Sequence, residues 1–380
     1  MTGPTSTRKR SRRLQVVGGL ACVGFGVGAV VVGGGHVPGL PEMPELTLGE
    51  HGLAPAQEVQ EVTGVIGSEK AAFFNDPDVQ KALKKEGIST SFTTAGTRAM
   101  AQDPDHFSDF AFPSSAPAGD YIAAQHEGAS VSSPFYSPLV AVSYFQLEQE
   151  LKNSGLVRTD NATDYLDTAQ LLDFVREGKR WRDITPSLQS PRAVELTTSD
   201  LRTSNSAEMY AAVLSYVVNG ERPISNAEEA RAAAESIRPL FAGQGFTSSS
   251  SAGPFERFTS VGMGEMPMVL AYESQLLEFE RDNDKAYRYT MFYLSPTINS
   301  EHTFVAFNDK GKALADALET DELQRLAARH GFRTHDIDVF KEEQHSAMTF
   351  TSRALISIDA PTYDNLELLI AAITGEGPVN

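Results

Sequence analysis

An apolar run from Leu14 to Gly35, broken only by the polar side chain of Gln15, follows the basic cluster Arg8, Lys9, Arg10, Arg12 and Arg13. No other feature restricts the chain so strongly. A basic flank ahead of a long apolar run places the flank on the inner side of a membrane and the rest of the chain on the outer side. As a helix rising 1.5 Å per residue the run covers roughly 30 Å, the thickness of the hydrocarbon layer. A cleaved leader has a shorter apolar region, about 7–15 residues, and then a small-x-small site. Here the chain continues Gly33-Gly34-Gly35-His36-Val37-Pro38, without Ala-x-Ala. The expectation is an uncleaved single-pass anchor at 14–35 in the cell membrane, with a cytoplasmic flank at 1–13 and the main domain extracytoplasmic. A secreted or lipid-anchored form is the alternative. Cys22 follows Leu20-Ala21 as a lipid-modified cysteine would, but Gly19 stands where leucine is wanted and Cys22 lies inside the run.

Cys22 is the only cysteine, so no intramolecular disulfide can form and the outer part must be held by its core. Roughly 320 residues come after the linker, enough for two domains of ordinary size. Five of the 32 lysines and arginines lie in the inner flank and no acid precedes Glu42, which leaves 27 basic residues against all 50 acidic ones, a balance of −23. Such a charge argues against nucleic acid as a partner and against docking on anionic lipid.

Residues 36–61, with Pro38, Pro41, Pro44 and Pro55 and no apolar period, read as an extended linker. Val65-Ile66 then reads as a strand, and Gly67-Ser68-Glu69 opens a helix with Ser68 as its cap. Asp76-Pro77 starts another helix and Gly87 ends it. Strands come next at Ser89–Thr94 and Phe110–Phe112, then a strongly apolar one at Pro138–Phe145. Helices are expected at Gln146–Asn153, Thr163–Arg176 and Glu208–Val218. Met266–Tyr272, Tyr287–Leu294 and Thr303–Phe307 read as strands. A helix at Asp321–His330 closes at Gly331, and the tail offers a strand at Ala354–Ile358 and a helix at Tyr363–Ile373. This alternation of strands and helices predicts an α/β fold built on parallel strands with crossover helices.

Five local patterns, taken in order, resemble the type II periplasmic solute-binding proteins, in the branch that includes molybdate and sulfate binders. They are the strand-Gly67-Ser68-helix entry, the strand-Pro113-Ser114-Ser115 turn, the strand Ser137-Pro138-Leu139-Val140-Ala141-Val142, Thr203-Ser204-Asn205-Ser206 ahead of a helix, and the ending His330-Gly331-Phe332-Arg333. The resemblance spans about Val62 to Thr334. It implies two lobes joined by two crossing hinge strands, near Pro138–Tyr144 and Met291–Thr297. Lobe one is then 62–138 with 296–345, and lobe two is 139–295. Residues 346–380 depart from the family as a strand-helix extension that either enlarges lobe one or covers a face. The implied function is capture of a small polar ligand, an oxyanion among the candidates, for an ABC-type importer whose permease is the protein partner. The alternative is a membrane-tethered sensor or assembly protein that keeps the binding fold without transport.

A ligand site between lobes has a physical basis independent of the resemblance. Helix N-termini present unpaired N–H groups and a positive dipole end, and cap hydroxyls add donors. Ser68, Ser114, Ser115, Ser204, Asn205 and Ser206 all stand where a strand or loop passes into a helix, at junctions that face the crevice in such folds. Each could equally be an ordinary cap serving its own helix. Glu273 and Ser274, after the strand ending at Tyr272, would reach the same crevice, where a carboxylate suits an amine or a metal cation better than an oxyanion. Arg98 and Lys70 could offset it, although surface salt bridges are the simpler role for both.

No catalytic or cofactor motif is present. His-Glu-x-x-His does not occur, His330 and His335 are wrongly spaced for one helix face and read as surface residues, and Gly262-Met263-Gly264 lacks the serine of a nucleophile elbow. A hydrolase using Ser68 or Ser206 is the remaining enzyme reading. Trp181 reads as packed beneath a surface loop. The chain is therefore expected to be a non-enzyme with no cofactor and no metal site.

Overall fold

The computed structural model describes residues 59–376 except 104–106, 243, 245–247, 249, 284–287, 345–349, 352–354 and 356. The expected anchor at 14–35 and nearly all of the linker lie outside the described residues. Among those described, no helix is long and apolar enough to cross a membrane.

Strand β1 (Gln60–Ile66) buries Val62, Gly64 and Ile66 at alternate positions, the period of a pleated strand. Gly64 is required there, because a Cβ would collide with the Phe110 carbonyl oxygen of the neighbouring strand. A single 3-10 turn, Ser68–Lys70, leads into α1 (Ala71–Asn75). Helix α2 (Pro77–Lys85) is capped by Asp76, whose side chain accepts from Asp78 N–H, and Gly87 at φ 75° turns the chain into β2 (Ile88–Thr94). Then come α3 (Thr97–Gln102), β3 (Phe110–Phe112) and α4 (Ala116–Ala124). Strands β2 and β3 flank β1, both parallel to it.

The long strand β4 (Ser130–Tyr144) crosses into a second set of elements. These are α5 (Glu148–Asn153), β5 (Val157–Asp160), β6 (Thr163–Asp167), α6 (Thr168–Arg176), α7 (Trp181–Ile184), α8 (Asn205–Val218), α9 (Ala227–Ile237), α10 (Pro239–Ala242), α11 (Ala252–Val261), β7 (Met268–Tyr272), α12 (Glu273–Asp282) and β8 (Tyr289–Ser295). The chain returns as β9 (Asn299–Ala306) and continues through α13 (Asp309–Leu318), α14 (Asp321–Arg329), α15 (Ile337–Glu343) and α16 (Tyr363–Thr374).

The sheet runs β2-β1-β3-β9-β4-β8-β6-β5, with β7 also on β4. From Ser130 to Pro138, β4 pairs with β9; from Leu139 to Tyr144 it pairs with β7 and β8. One strand therefore serves two lobes, and the β8–β9 connection crosses back. The expectation of an essentially parallel sheet needs correction, because β4 meets β7, β8 and β9 antiparallel, and β3 meets β9 antiparallel. A segment that crosses between lobes and returns beside itself must run antiparallel to its own return.

Thr163–Arg176, read as one helix, is the strand β6 followed by α6. Leu166 fills a sheet position, and the Asp167 side chain accepts from Gln170 N–H to start the helix afterwards. Of the tail strand expected at Ala354–Ile358, residues 354 and 356 lie outside those described, and Ser357 makes a single parallel bridge to Thr297.

Lobe one packs around aromatic rings, among them Phe73, Phe74, Phe110, Phe112, Phe135, Phe304 and Phe332. Phe135 lies 4.5 Å from Phe332 and 5.7 Å from Phe73, centroid to centroid, within the range where ring pairs attract. Lobe two has the larger core, with Trp181 1 % exposed beside Leu171, Leu196 and Leu214. Trp181 is thus interior.

Candidate functional site

The parallel strands β1, β2 and β3 end at Ile66, Thr94 and Phe112, and the chain turns after each at Gly67-Ser68-Glu69, Ala95-Gly96-Thr97 and Pro113-Ser114. Carboxyl ends of parallel strands leave a crevice, because the helices after them depart on either face. Lobe two closes this crevice with Ser204 and Asn205 at the start of α8, Ser250 and Ser251 before α11, and Tyr272 at the end of β7. Together they line a cavity of about 230 Å³ that is open to solvent on one side. At about 30 Å³ per water, that is space for roughly seven or eight waters, the scale of a small polar solute.

Glu69 forms the cavity's charged floor, with Lys70 buried behind it. Lys70 is fully buried and its Nζ lies 2.5 Å from Glu69 Oε1, 2.8 Å from Ser114 Oγ and 3.0 Å from His302 Nδ1. Glu69 and Ser114 both accept from the Lys70 ammonium, and the Glu69 charge opposes the burial that pulls its pKa down. Burial alone would raise the Glu69 carboxyl, but the charge of Lys70, together with hydrogen bonds from Lys70 and Ser114, outweighs it and holds the group at about 2. Burial and the Lys70 charge push His302 well below its ordinary range, which leaves Nδ1 free to accept. Glu69 alone of this cluster, with Ser114, lines the cavity. The carboxylate that reaches the cavity is already neutralised from behind.

Asn205 joins the two walls. Its Nδ2 donates across the lobes to the Ser114 carbonyl at 2.7 Å, and lies 3.0 Å from Tyr272 Oη and 3.2 Å from Ser300 Oγ. The Ser300 hydroxyl donates to the same Ser114 carbonyl. Burial drives the Tyr272 phenol far up, so it serves as a neutral hydrogen-bonding group. Ser204 is the N-cap of α8 yet makes no side-chain cap bond. Its hydroxyl instead accepts from Ser199 Oγ at 2.6 Å and lies 3.1 Å from Ser206 Oγ.

The residues expected at the site divide into two groups. Ser68, Ser114, Ser204 and Asn205 line the cavity. Ser206 lies behind Ser204 in the hydroxyl cluster, 1 % exposed. Ser115 caps α4 through Ala118 N–H and lines a separate cavity of about 690 Å³ beneath residues 357–364. Glu273 turns away from the crevice to Arg333, whose Nε and Nη2 lie 2.5 and 2.9 Å from its two oxygens, and it also accepts from Tyr293 Oη. Ser274 is buried, with its backbone N–H given to Ser137 Oγ. Neither Glu273 nor Ser274 lines the cavity, because an arginine from a distant part of the chain claims the carboxylate and Gly331 packs against the Ser274 backbone.

Three side chains read as surface groups are interior. Lys70 lies behind the floor just described. Arg98 is 8 % exposed and paired with Glu367. His330 is 2 % exposed, with Nδ1 2.8 Å from Glu278 and Nε2 3.0 Å from Asp76. His335 is on the surface, its side chain 65 % exposed. Sequence reasoning missed Thr94, Thr97 and Tyr272 as cavity residues, although each ends a strand or starts a helix and so carried the same signal as the serines. Among the described residues no group of three or more His, Cys, Asp or Glu side chains is arranged to hold a metal ion.

No protein-family model matches the chain, and no curated protein matches its sequence. Solved structures do match. The periplasmic binding protein AfuA from Actinobacillus pleuropneumoniae, with fructose-6-phosphate bound, is 13% identical with a TM-score of 0.53, over 83% of this chain and 97% of that one. Iron-bound HitA from Pseudomonas aeruginosa is 12% identical with a TM-score of 0.53, over 83% and 97%. The apo ferric ion-binding protein A of Pasteurella haemolytica is 11% identical with a TM-score of 0.52, over 83% and 96%. At these identities the likeness is one of fold. A sugar phosphate and iron among their ligands leave the molybdate and sulfate branch an expectation.

Proposed function

We propose that this chain, which has the two-lobed fold of the type II periplasmic binding proteins, is an extracytoplasmic receptor for a small polar solute bound between its lobes. One observation supports the reading above others: the 230 Å³ cavity draws its wall from both lobes, with Ser68, Thr94, Thr97 and Ser114 on one side and Ser204, Asn205, Ser251 and Tyr272 on the other. A solute that contacts both walls stabilises the closed arrangement, and closure about β4 and the β8–β9 connection is the motion such a hinge permits.

The lining is rich in hydroxyls and its one carboxylate is already paired, so recognition rests on neutral hydrogen bonds. A zwitterion, a sugar or an oxyanion of this size fits that lining. A catalytic serine does not. Ser206 Oγ meets the Ser199 and Ser204 hydroxyls and the Ser68 side chain makes no hydrogen bond among the described residues, so neither expected nucleophile has a base beside it.

In this reading the anchor at 14–35 tethers the receptor, and an ABC permease accepts the solute from the closed form. A tethered sensor or assembly protein is the second reading. It is favoured by α16, which packs against both lobes and adds a tie beyond the crossing strands. A thermal-shift screen of the full chain against oxyanions, amino acids, sugars and metal ions tests the receptor reading, because a ligand at 100 times its Kd adds about 2.7 kcal/mol. No shift with any class overturns it. A ligand that closes the lobes without promoting contact with a permease selects the second reading.

A further inference from the structure

Helix α16 belongs to both cores at once. Leu366, Leu369, Ile370 and Ile373 sit in the lobe-two core with Ala230, Ala234 and Ile237 of α9. Tyr363, at its first turn, sits with Met100, Ala101, Ala118 and Ile122 of α3 and α4 in lobe one. Its ring stacks on Tyr121 at 4.2 Å. Glu367, one turn further on, is 6 % exposed and grips Arg98 of α3 through both carboxylate oxygens, at 2.6 Å from Nε and 2.7 Å from Nη2. The third nitrogen, Nη1, donates to the Arg202 carbonyl of lobe two at 2.9 Å. Arg98 therefore joins its own lobe to the tail helix and directly to lobe two.

The tail is pinned ahead of the helix as well. Ile358 N–H donates to the Thr297 carbonyl at 2.9 Å and Asn299 N–H to Ser357 Oγ at 3.3 Å, beside the returning strand. The tie shares its supports with the cavity. Thr97 lines the cavity and the next residue is Arg98. Asn205 lines the cavity, and buried Glu208, one turn along α8, feels the charges of Arg98 and Glu367.

We propose that α16 is an interlobe latch, held by the Arg98–Glu367 pair and the Tyr121–Tyr363 stack, which keeps the lobes together independently of solute and must release for the crevice to open. The two crossing strands act as a hinge and permit rotation. A third connection on a separate helix opposes that rotation, because opening must separate a buried two-bond ion pair and a ring stack. Parting Arg98 from Glu367 transfers both charges toward water, so the barrier is one of lost contacts and does not strand an unpaired buried charge.

Double electron–electron resonance on the full chain tests this, with Cys22→Ser and spin labels placed through Lys84→Cys in lobe one and Asp173→Cys in lobe two. The background variant is expected to give one short interlobe distance. Glu367→Ala is expected to raise the population at longer distance by roughly tenfold, the effect of losing one charged hydrogen-bonded pair. Tyr363→Ala, which leaves the ion pair in place, is expected to do so more weakly and decides the matter if Glu367→Ala does not fold. A lower melting temperature with an unchanged distance distribution in the folded variants overturns the latch and leaves α16 a passive cover. A background variant that already populates the longer distance equally also overturns it. The solute screen is independent of either outcome.

Discussion

Arg333 holds Glu273 across the hinge in a two-bond ion pair, Nε at 2.5 Å from Oε2 and Nη2 at 2.9 Å from Oε1, with side-chain exposures of 2 % and 0 %. Tyr293 Oη donates to the same carboxylate, and the Arg333 guanidinium reaches the Thr351 carbonyl at 2.6 Å. Arg333 comes after α14 in lobe one and Glu273 opens α12 in lobe two, so this pair is a tie between the lobes separate from the latch.

Removing one partner leaves the other charge buried and alone. Glu273→Ala is expected to cost about 3–5 kcal/mol of unfolding free energy, read from the midpoint of a urea titration. The paired replacement Glu273→Leu with Arg333→Met removes both charges and is expected to recover most of that loss. A single variant within about 0.5 kcal/mol of wild type, the range of ordinary surface substitutions, contradicts the burial on which the argument rests.

Stability should fall as the solution is made alkaline, and Glu208 is the cause. Burial raises its carboxyl to about 8, against 4.5 for the ordinary group; Arg98 opposes the shift and Glu367 adds to it. Between those values the folded chain keeps a proton that the unfolded chain releases. Folding free energy therefore declines as pH rises from about 4.5 to about 8, then levels off. Glu208→Gln keeps a neutral group of the same shape and removes this dependence. The stability of wild type relative to Glu208→Gln is expected to drop by about 1 kcal/mol per pH unit in that window. Parallel curves for the two proteins over pH 5 to 8 refute the assignment. The carboxyl of Glu69, held at about 2, acts in the opposite direction and in a different window: its contribution is present above about 4.5 and is lost as pH falls toward 2.

The β5–β6 hairpin closes on two residues, Asn161 at φ 48° and Ala162 at φ 64°, between the paired Asp160 and Thr163. Both central residues of such a turn occupy the left-handed region, which alanine disfavours and glycine does not. Ala162→Gly is expected to stabilise the chain by about 1 kcal/mol, visible as a higher melting temperature with unchanged cavity chemistry. A lower melting temperature shows that the turn is not of this type.

Local signals are readable where local chemistry decides the outcome. Asp76-Pro77, Gly87 and Gly331 mark their helix ends because caps and positive φ depend on the residue itself. Ser68, Ser114, Ser204 and Asn205 reach the cavity because strand-to-helix junctions at one sheet edge converge there. Glu273 escapes such reasoning for the opposite reason, since its partner Arg333 lies 60 positions away. Lys70 reads as a surface cation because His302, which completes its shell, lies 232 positions away. Arg98 and Glu367, 269 positions apart, show the same limit. In Thr163–Arg176 the spacing of Leu166, Ala169, Leu172 and Val175 fits a helix, and only pairing with β5 and β8 assigns the first five residues to a strand.

The cavity wall supplies the sharpest separation between binding and folding. Ser68 lines the cavity just past the end of β1, and its side chain makes no hydrogen bond among the described residues, so its hydroxyl is available to a solute. Ser204 is committed to Ser199 and Ser206, and Asn205 to the Ser114 carbonyl of the other lobe. Ser68→Ala is therefore expected to weaken a solute found in the screen by about 3–10-fold, one hydrogen bond's worth, with the melting temperature of the solute-free chain unchanged. Ser204→Ala is expected to weaken it to a similar degree and to lower the melting temperature through the hydroxyl cluster. Asn205→Ala removes an interlobe bond as well as a cavity group and is expected to affect both readouts most. Isothermal titration and thermal melts on the three variants measure the two effects separately. If Ser68→Ala and Asn205→Ala both bind the solute as wild type does, the solute lies elsewhere, and the larger cavity beneath residues 357–364 becomes the place to look.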